Sequence, residues 1–208
     1  TIASRIAGGD LDSNPRLRKA VSNAKSNNVP AGNIERAIKK GIGDLDGIAF
    51  DEITYEGYGP NGVAIIIEVI TDNKNRSVAE LRHIFTKFGG SLGETGSVSW
   101  MFEKKGQIIL ESKSIVYETL FDIALIAGAE DLEKFENSYI ITTPFESLME
   151  VKKTIEDHGY LTKSADYQMI SKTSQKVTKS ESHSVVKLLD TLDNNDDVNR
   201  IFSNLDLD

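Results

Sequence analysis

A chain of 208 residues, 39% hydrophobic and 27% charged, can form one large domain or two to three small ones and can bury a core without disulfide or metal staples. The absence of cysteine excludes disulfide scaffolds, thiolate-bound zinc, iron–sulfur clusters and thiol catalysis. The formal net charge of −8 argues against a general polyanion binder, but it is unevenly placed: residues 1–45 balance at +4 and residues 46–208 at −12.

The front of the chain reads as helix. Asn14-Pro15 is a start signal, with Asn as the cap and Pro at the first helical position, where no N–H is needed. Leu17, Val21 and Ala24 recur at helical spacing until Asn27-Asn28 breaks the pattern. Val29-Pro30 restarts it, Ile34 and Ile38 lie four apart, and Gly41 is the expected stop. Two short helices bury little surface, so a segment upstream of Thr1 is expected to complete the bundle, and the native start with any targeting content is expected there. Asp44-Leu-Asp-Gly47 reads as a linker.

Val63–Ile70 is a nearly continuous apolar run, which predicts a central strand covered on both faces. Residues 76–88 predict an amphipathic helix, with Val78, Leu81, Phe85 and Phe88 opposite Arg76, Glu80, His83 and Lys87. Alternation over 97–102 predicts a strand that buries Val98, Trp100 and Phe102. A strand at 107–111 and an apolar helix at 115–127 follow. Next comes a hairpin of Asp131–Phe135 with Tyr139–Thr143. Thr143-Pro-Phe-Glu146 reads as a capping box that opens a helix carrying Leu148, Val151 and Ile155 and closing at Gly159. A strand at 160–171 completes β-α-β-β-α-β, a ferredoxin-like order. Residues 172–179 read as strand, Val185, Leu188, Leu189 and Leu192 mark a helix, and 198–205 is a last strand. With 62–103 these make a second β-α-β-β-α-β set. The predicted class is therefore an α+β multidomain protein: a helical N-terminal domain followed by two ferredoxin-like α/β sandwich domains, one inserted in the other. The boundaries are 1–47 for the helical domain, 48–105 with 172–208 for the discontinuous one, and 106–171 for the insert.

Enzyme signatures are missing: no phosphate-binding G-x-x-x-x-G-K-[ST], no dinucleotide G-x-G-x-x-G, no H-E-x-x-H and no G-x-S-x-G. His83, His158 and His183 are far apart and fall in different elements, so no metal or other cofactor is expected. Asp193–Asp197 superficially resembles a calcium loop but has Val198 and Asn204 where glycine and glutamate are required, and it reads as an exposed turn. No apolar run approaches the roughly 20 residues of a membrane span, so no membrane partner is expected.

Three segments carry candidate binding residues. In Glu56–Gly62 the glycines and Asn61 can supply positive φ; Tyr58, Gly59 and Pro60 form either a tight turn or a loop that meets a partner. Thr71–Ser77 leaves a strand and enters a helix, where free N–H groups beside Lys74 and Arg76 could hold a phosphate; ordinary capping is the alternative. On the front helices, Arg16, Arg18, Lys19, Arg36, Lys39 and Lys40 are candidates for phosphate-backbone contact, and the alternative is a solvated helix surface. Arg36 and Lys40 share a face at four-residue spacing. No aromatic is interleaved, so base stacking is not expected there.

Asn14-Pro-Arg-Leu-Arg18, Ile34-Glu-Arg-Ala-Ile-Lys-Lys-Gly41, Tyr55-Glu-Gly-Tyr-Gly-Pro60 and Thr71-Asp-Asn-Lys-Asn-Arg76 together resemble the YebC family. So do Glu80-Leu-Arg-His-Ile-Phe85, Gly89-Gly-Ser-Leu-Gly93 and Gly96-Ser-Val-Ser-Trp-Met-Phe102. The match runs through the whole chain in order and is looser around Asp196–Phe202. The family's opening basic segment with Gly-His-Ser-Lys-Trp is not in this sequence, and Asn61 stands where the family often has glycine. Asn tolerates the same left-handed backbone, so the turn is expected to survive.

The resemblance implies three domains and a non-enzymatic, cytoplasmic regulator of gene expression that binds nucleic acid. Most members carry a DNA-binding transcriptional-regulator label; others look like translation factors that act on the ribosome and contact ribosomal RNA. No helix-turn-helix spacing, zinc finger or basic zipper is recognisable, which argues against sequence-specific DNA reading but not against backbone contact. A protein–protein adaptor is the rival from another class. Oligomeric state is not legible.

Overall fold

The computed structural model describes residues 2–26, 31–43, 51–113, 115–179 and 181–207. The chain divides into two compact units, Thr1–Phe50 and Asp51–Asp208. The break at Asn27-Asn28, the restart at Val29-Pro30 and the linker at 44–47 lie outside the described residues.

The first unit is helical: α1 (Ile2–Ala7), α2 (Pro15–Ser26) and α3 (Ala31–Gly43). Asn14 caps α2 as its position predicts. Its Oδ1 accepts the Leu17 N–H at 3.0 Å, and its Nδ2 donates to the carbonyls of Ala3 (2.7 Å) and Gly8 (2.8 Å). One buried amide thus ends α1 and starts α2. Residues 2–7, which spacing left unassigned, contribute Ala3 to a core with Leu17 and Val21, against which Ile34 and Ile38 pack.

The second unit holds two four-stranded sheets and a short two-stranded one. The first large sheet contains β1 (Asp51–Tyr58), β2 (Ala64–Thr71), β3 (Ser91–Leu92) and β9 (Val198–Ser203) in the order β3-β1-β2-β9, every pair antiparallel. Its helices are α4 (Lys74–Lys87) and α7 (Ser182–Asp193). β2 is the central strand foreseen from its apolar run. Ile65, Ile67 and Val69 enter a core with Leu81, Phe85, Val185, Leu188 and Leu192, while Ala64 and Ile66 pack on the other face with Val98, Phe102 and Phe202.

The strand set differs from expectation in two places. β1, a strand the second β-α-β-β-α-β set did not include, lies between β2 and β3. Within 172–179 only β8 (Gln175–Val177) is strand, and it pairs in parallel with β10 (Leu205–Leu207), outside the main sheet. Residues 97–101 are not strand either. The buried Glu56 carboxylate accepts the N–H groups of Gly96, Val98 and Ser99 at 2.7–2.8 Å, donors that a ladder would need. The chain makes a single helical turn at Ser99–Met101, and Trp100, expected in the core, is 63% exposed.

The second large sheet is β5 (Asp131–Phe135), β6 (Ser138–Pro144), β4 (Phe102–Glu111) and β7 (Thr162–Ser171) in that order, all antiparallel. It is covered by α5 (Tyr117–Ile126) and α6 (Leu148–Asp157). The β5–β6 turn places Glu136 at φ 50. The expected capping box is not formed: a single turn at Phe145–Ser147 precedes α6, no side chain caps it, and the Thr143 hydroxyl donates to the Pro144 carbonyl. The Tyr167 hydroxyl in β7 donates to Glu68 in β2 at 2.5 Å, and the Arg200 guanidinium lies 4.1 Å from the Tyr167 ring centre, tying the two large sheets together. Burial, then the Glu68 hydrogen bond and charge, push the Tyr167 phenol up to about 12. Among the described residues no helix is long and apolar enough to cross a membrane.

Candidate nucleic-acid interface

The helical unit presents its α2 cations and Lys39 on the solvent side of a small core. In α2, Leu17 and Val21 face inward, and Arg16, Arg18, Lys19 and Lys25 are exposed. At about 100° per residue, Lys19 points directly away from the inward pair with Arg16 about 60° from Lys19, while Arg18 and Lys25 flank the inward pair on the other side. The Arg18 guanidinium donates to the carbonyls of Leu11 (2.9 Å) and Asp12 (2.8 Å) and clamps the α1–α2 loop. Both acceptors are neutral, so these bonds fix the guanidinium without cancelling its charge. The loop holds two acidic residues, Asp10 and Asp12; the Asp10 carboxylate accepts the Asp12 N–H and the Ser13 hydroxyl. In α3, Lys39 pairs with Glu35 at 2.8 Å; both are exposed, so solvent and salt screen the pair. Arg36 and Lys40 lie in α3, and their side chains fall outside the described ones.

The start of α4 is built differently. Asn73 caps it by accepting the Arg76 N–H at 3.1 Å. Lys74 pairs with Asp51 at 3.0 Å. Arg76 meets Asp72 at 3.0 Å and both carboxylate oxygens of Asp197 at 2.9 and 3.0 Å. Burial pushes the Asp197 carboxyl up, but the Ser77 hydroxyl at 2.6 Å, the Arg76 guanidinium and the Thr71 hydroxyl outweigh it and hold it below the ordinary carboxylate range. The anion beside this helix start is thus a carboxylate of the chain itself, and capping is the geometry observed.

The Tyr58–Pro60 loop is also drawn inward. The Tyr58 hydroxyl donates to the Ser97 carbonyl at 2.9 Å and the residue is half-buried, not exposed. Gly59 is buried; a Cβ there would lie 3.1 Å from Ile65 and 3.2 Å from Leu188. Pro60 opens the turn Pro60–Gly62, and Asn61 takes the left-handed backbone at φ 59. Among the described residues no group of three or more His, Cys, Asp or Glu is placed to hold a metal ion.

Comparison with known proteins bears on the whole chain. A model described as the TACO1/YebC protein N-terminal domain matches residues 1–44, and one described as the TACO1/YebC second and third domain matches residues 50–205. The chain belongs to the TACO1/YebC family. A relative from Geotalea uraniireducens, named "Probable transcriptional regulatory protein", is 47% identical over 207 residues, covering 100% of this chain and 83% of its own. Relatives of the same designation from Geobacter sulfurreducens and Elusimicrobium minutum are each 48% identical with the same coverage. The crystal structure of a conserved hypothetical protein from Aquifex aeolicus is 42% identical, with a TM-score of 0.82 over 100% of this chain and 86% of that one.

Within this TACO1/YebC chain, sequence reasoning passed over three residues. Glu56 looked like part of a turn, yet its carboxylate organises 96–99; the only signal was an acidic residue in a stretch that has to be buried. Asp197 looked like one more charge in an acidic turn, and nothing local links it to Arg76, 121 positions away. Trp100 looked like core because alternation cannot see a backbone captured by a distant carboxylate.

Proposed function

We propose that this protein is a non-enzymatic, cytoplasmic regulator of gene expression that grips nucleic acid through the basic helices α2 and α3. The observation that carries the reading is the segregation of charge: +4 over residues 1–45 against −12 over the remainder. The family membership and the names of the relatives support a regulatory role. Arg16, Arg18, Lys19 and Lys39, with Arg36 and Lys40, would contact phosphates. Arg76 stands outside the proposed surface, because Asp72 and Asp197 already balance it, while Lys74, held by Asp51 in an exposed pair as Lys39 is by Glu35, would add a contact at the start of α4. Tyr58, Gly59 and Pro60 would contribute shape to the loop and no direct contact.

Two targets fit such a surface. Duplex DNA fits the designation of the relatives. Ribosomal RNA on the ribosome is favoured by the acidic body, which a bare duplex would repel and which basic ribosomal proteins would not. The same reading takes residues 106–171 as an α+β domain inserted into a discontinuous one of 48–105 and 172–208; the two antiparallel sheet orders support such an insertion, with β4 moving its start from 106 to Phe102.

The test is Arg36→Glu with Lys40→Glu, assayed for duplex DNA binding and for co-sedimentation with ribosomal particles. Loss of one or both supports the surface and names its target. Retention of both at wild-type level overturns it. A large preference for one duplex sequence would select transcription; ribosome binding without such a preference would select translation.

A further inference from the structure

We propose that the outer face of α5 is a docking site for a cationic amphipathic helix of a protein partner. Tyr117, Phe121 and Leu125 recur every four residues along α5 and are all exposed, Leu125 by 58%, with Val116 and Ile126 (86%) exposed at its two ends. The adjoining stripe of the same helix, about 80° round, is already used: Leu120 and Ala124 are buried against β6 and α6 residues. α5 is therefore apolar on the stripe that packs and on a neighbouring stripe that is exposed among the described residues. The exposed stripe is also rigid. The rings of Tyr117 and Phe121 stack at 5.9 Å between centres, and the Tyr117 hydroxyl donates to the Leu132 carbonyl at 3.1 Å. Aromatic anchors held in place before binding are the usual centre of an interface.

The occupant follows from what borders this face. Below it runs β5, an edge strand of its sheet. At Leu132 that edge is closed: its N–H is taken by the Asp131 carboxylate at 2.8 Å and its carbonyl by Tyr117. An added strand would find no free backbone pair there, so the surface suits a helix rather than an extended peptide. Above the stripe lie Glu118 and Asp122, both exposed, one position along from Tyr117 and Phe121. Residues 115–136 hold six carboxylates and one cation, Lys134; Lys105 pairs with Glu130 at 2.9 Å, and the other five still outnumber Lys134, so the face sits in negative potential. A helix with apolar residues on one side and Lys or Arg beside them complements it. A second copy of this chain would oppose Glu118 and Asp122 to themselves, and an anionic lipid surface would be repelled. This inference stands apart from the nucleic-acid surface on α2 and α3.

The experiment uses the full chain and a fluorescent 18-residue Leu/Lys peptide patterned as an amphipathic helix, with a Leu/Glu peptide of the same apolar residues as control. The Lys peptide should bind saturably and the Glu peptide at least about tenfold more weakly. Phe121→Ser with Leu125→Ser should weaken the Lys peptide about tenfold or more, and Glu118→Lys with Asp122→Lys should reverse the preference between the two peptides. Nucleic-acid binding should not change in the Ser double variant. Equal binding of both peptides, an unreversed preference, or full binding by the Ser variant overturns the proposal. So does a concentration-dependent dimer that the Ser variant abolishes. Because the charge-swap pair changes only exposed groups, it decides the matter even if the Ser variant folds poorly.

Discussion

Glu56 and Asp197 are carboxylates that the second unit keeps ionised although it buries the first and half-buries the second. Burial raises each, and hydrogen bonds outweigh it: three backbone N–H groups at Glu56, and Ser77, Arg76 and Thr71 at Asp197. Both therefore have folded-state pKa values below their unfolded ones, about 4.3 for Glu and 3.9 for Asp. The stability they contribute is fully present above those values and is lost as pH falls through the folded ones. Glu56→Gln and Asp197→Asn should each lower stability at pH 7 by about 2 kcal/mol, the scale of hydrogen bonds to a charged group. Urea midpoints measured from pH 7 down to pH 3 should show each variant converging on the wild type below about pH 4; a gap constant across that range would mean that charge is not what matters at the site. Neither residue was legible as a centre of structure, because partners 40 and 121 positions away give no periodic signal.

At the level of elements, much was readable where one helix or strand buries one face. The Asn14 cap, the amphipathic α4, the doubly covered β2 and the β4–β7 order all follow from local pattern. Reading failed where tertiary bonds outrank pattern: β1 alternates weakly, and the 97–101 ladder is dissolved by Glu56. Asn14→Ala removes a cap and leaves the Ala3 and Gly8 carbonyls without their donor. Hydrogen-exchange protection at the Leu17 amide should fall about tenfold or more. Two glycines give opposite signs. A Cβ at Gly90 would stand 2.5 Å from the Tyr58 carbonyl oxygen, so Gly90→Ala should cost about 1–3 kcal/mol. A Cβ at Gly32 in α3 meets nothing within 4 Å, so Gly32→Ala should stabilise by about 0.5–1 kcal/mol. Thermal melts of the pair check both signs.

The whole molecule separates a small basic helical unit from a larger acidic one built on two sheets. That separation was visible in the charge count alone. Which cations take part was not, since only the fold shows that Arg76 is held by Asp72 and Asp197. Nucleic-acid affinity measured against salt tests this division most directly. The logarithm of the affinity should fall linearly with the logarithm of salt concentration. Arg16→Ala, Lys19→Ala and Lys39→Ala should each flatten the slope by about 0.9 on duplex DNA or about 0.7 on a single strand, one phosphate apiece. Arg76→Ala should leave it unchanged. A slope untouched by the α2 and α3 variants, or flattened equally by Arg76→Ala, would contradict the account.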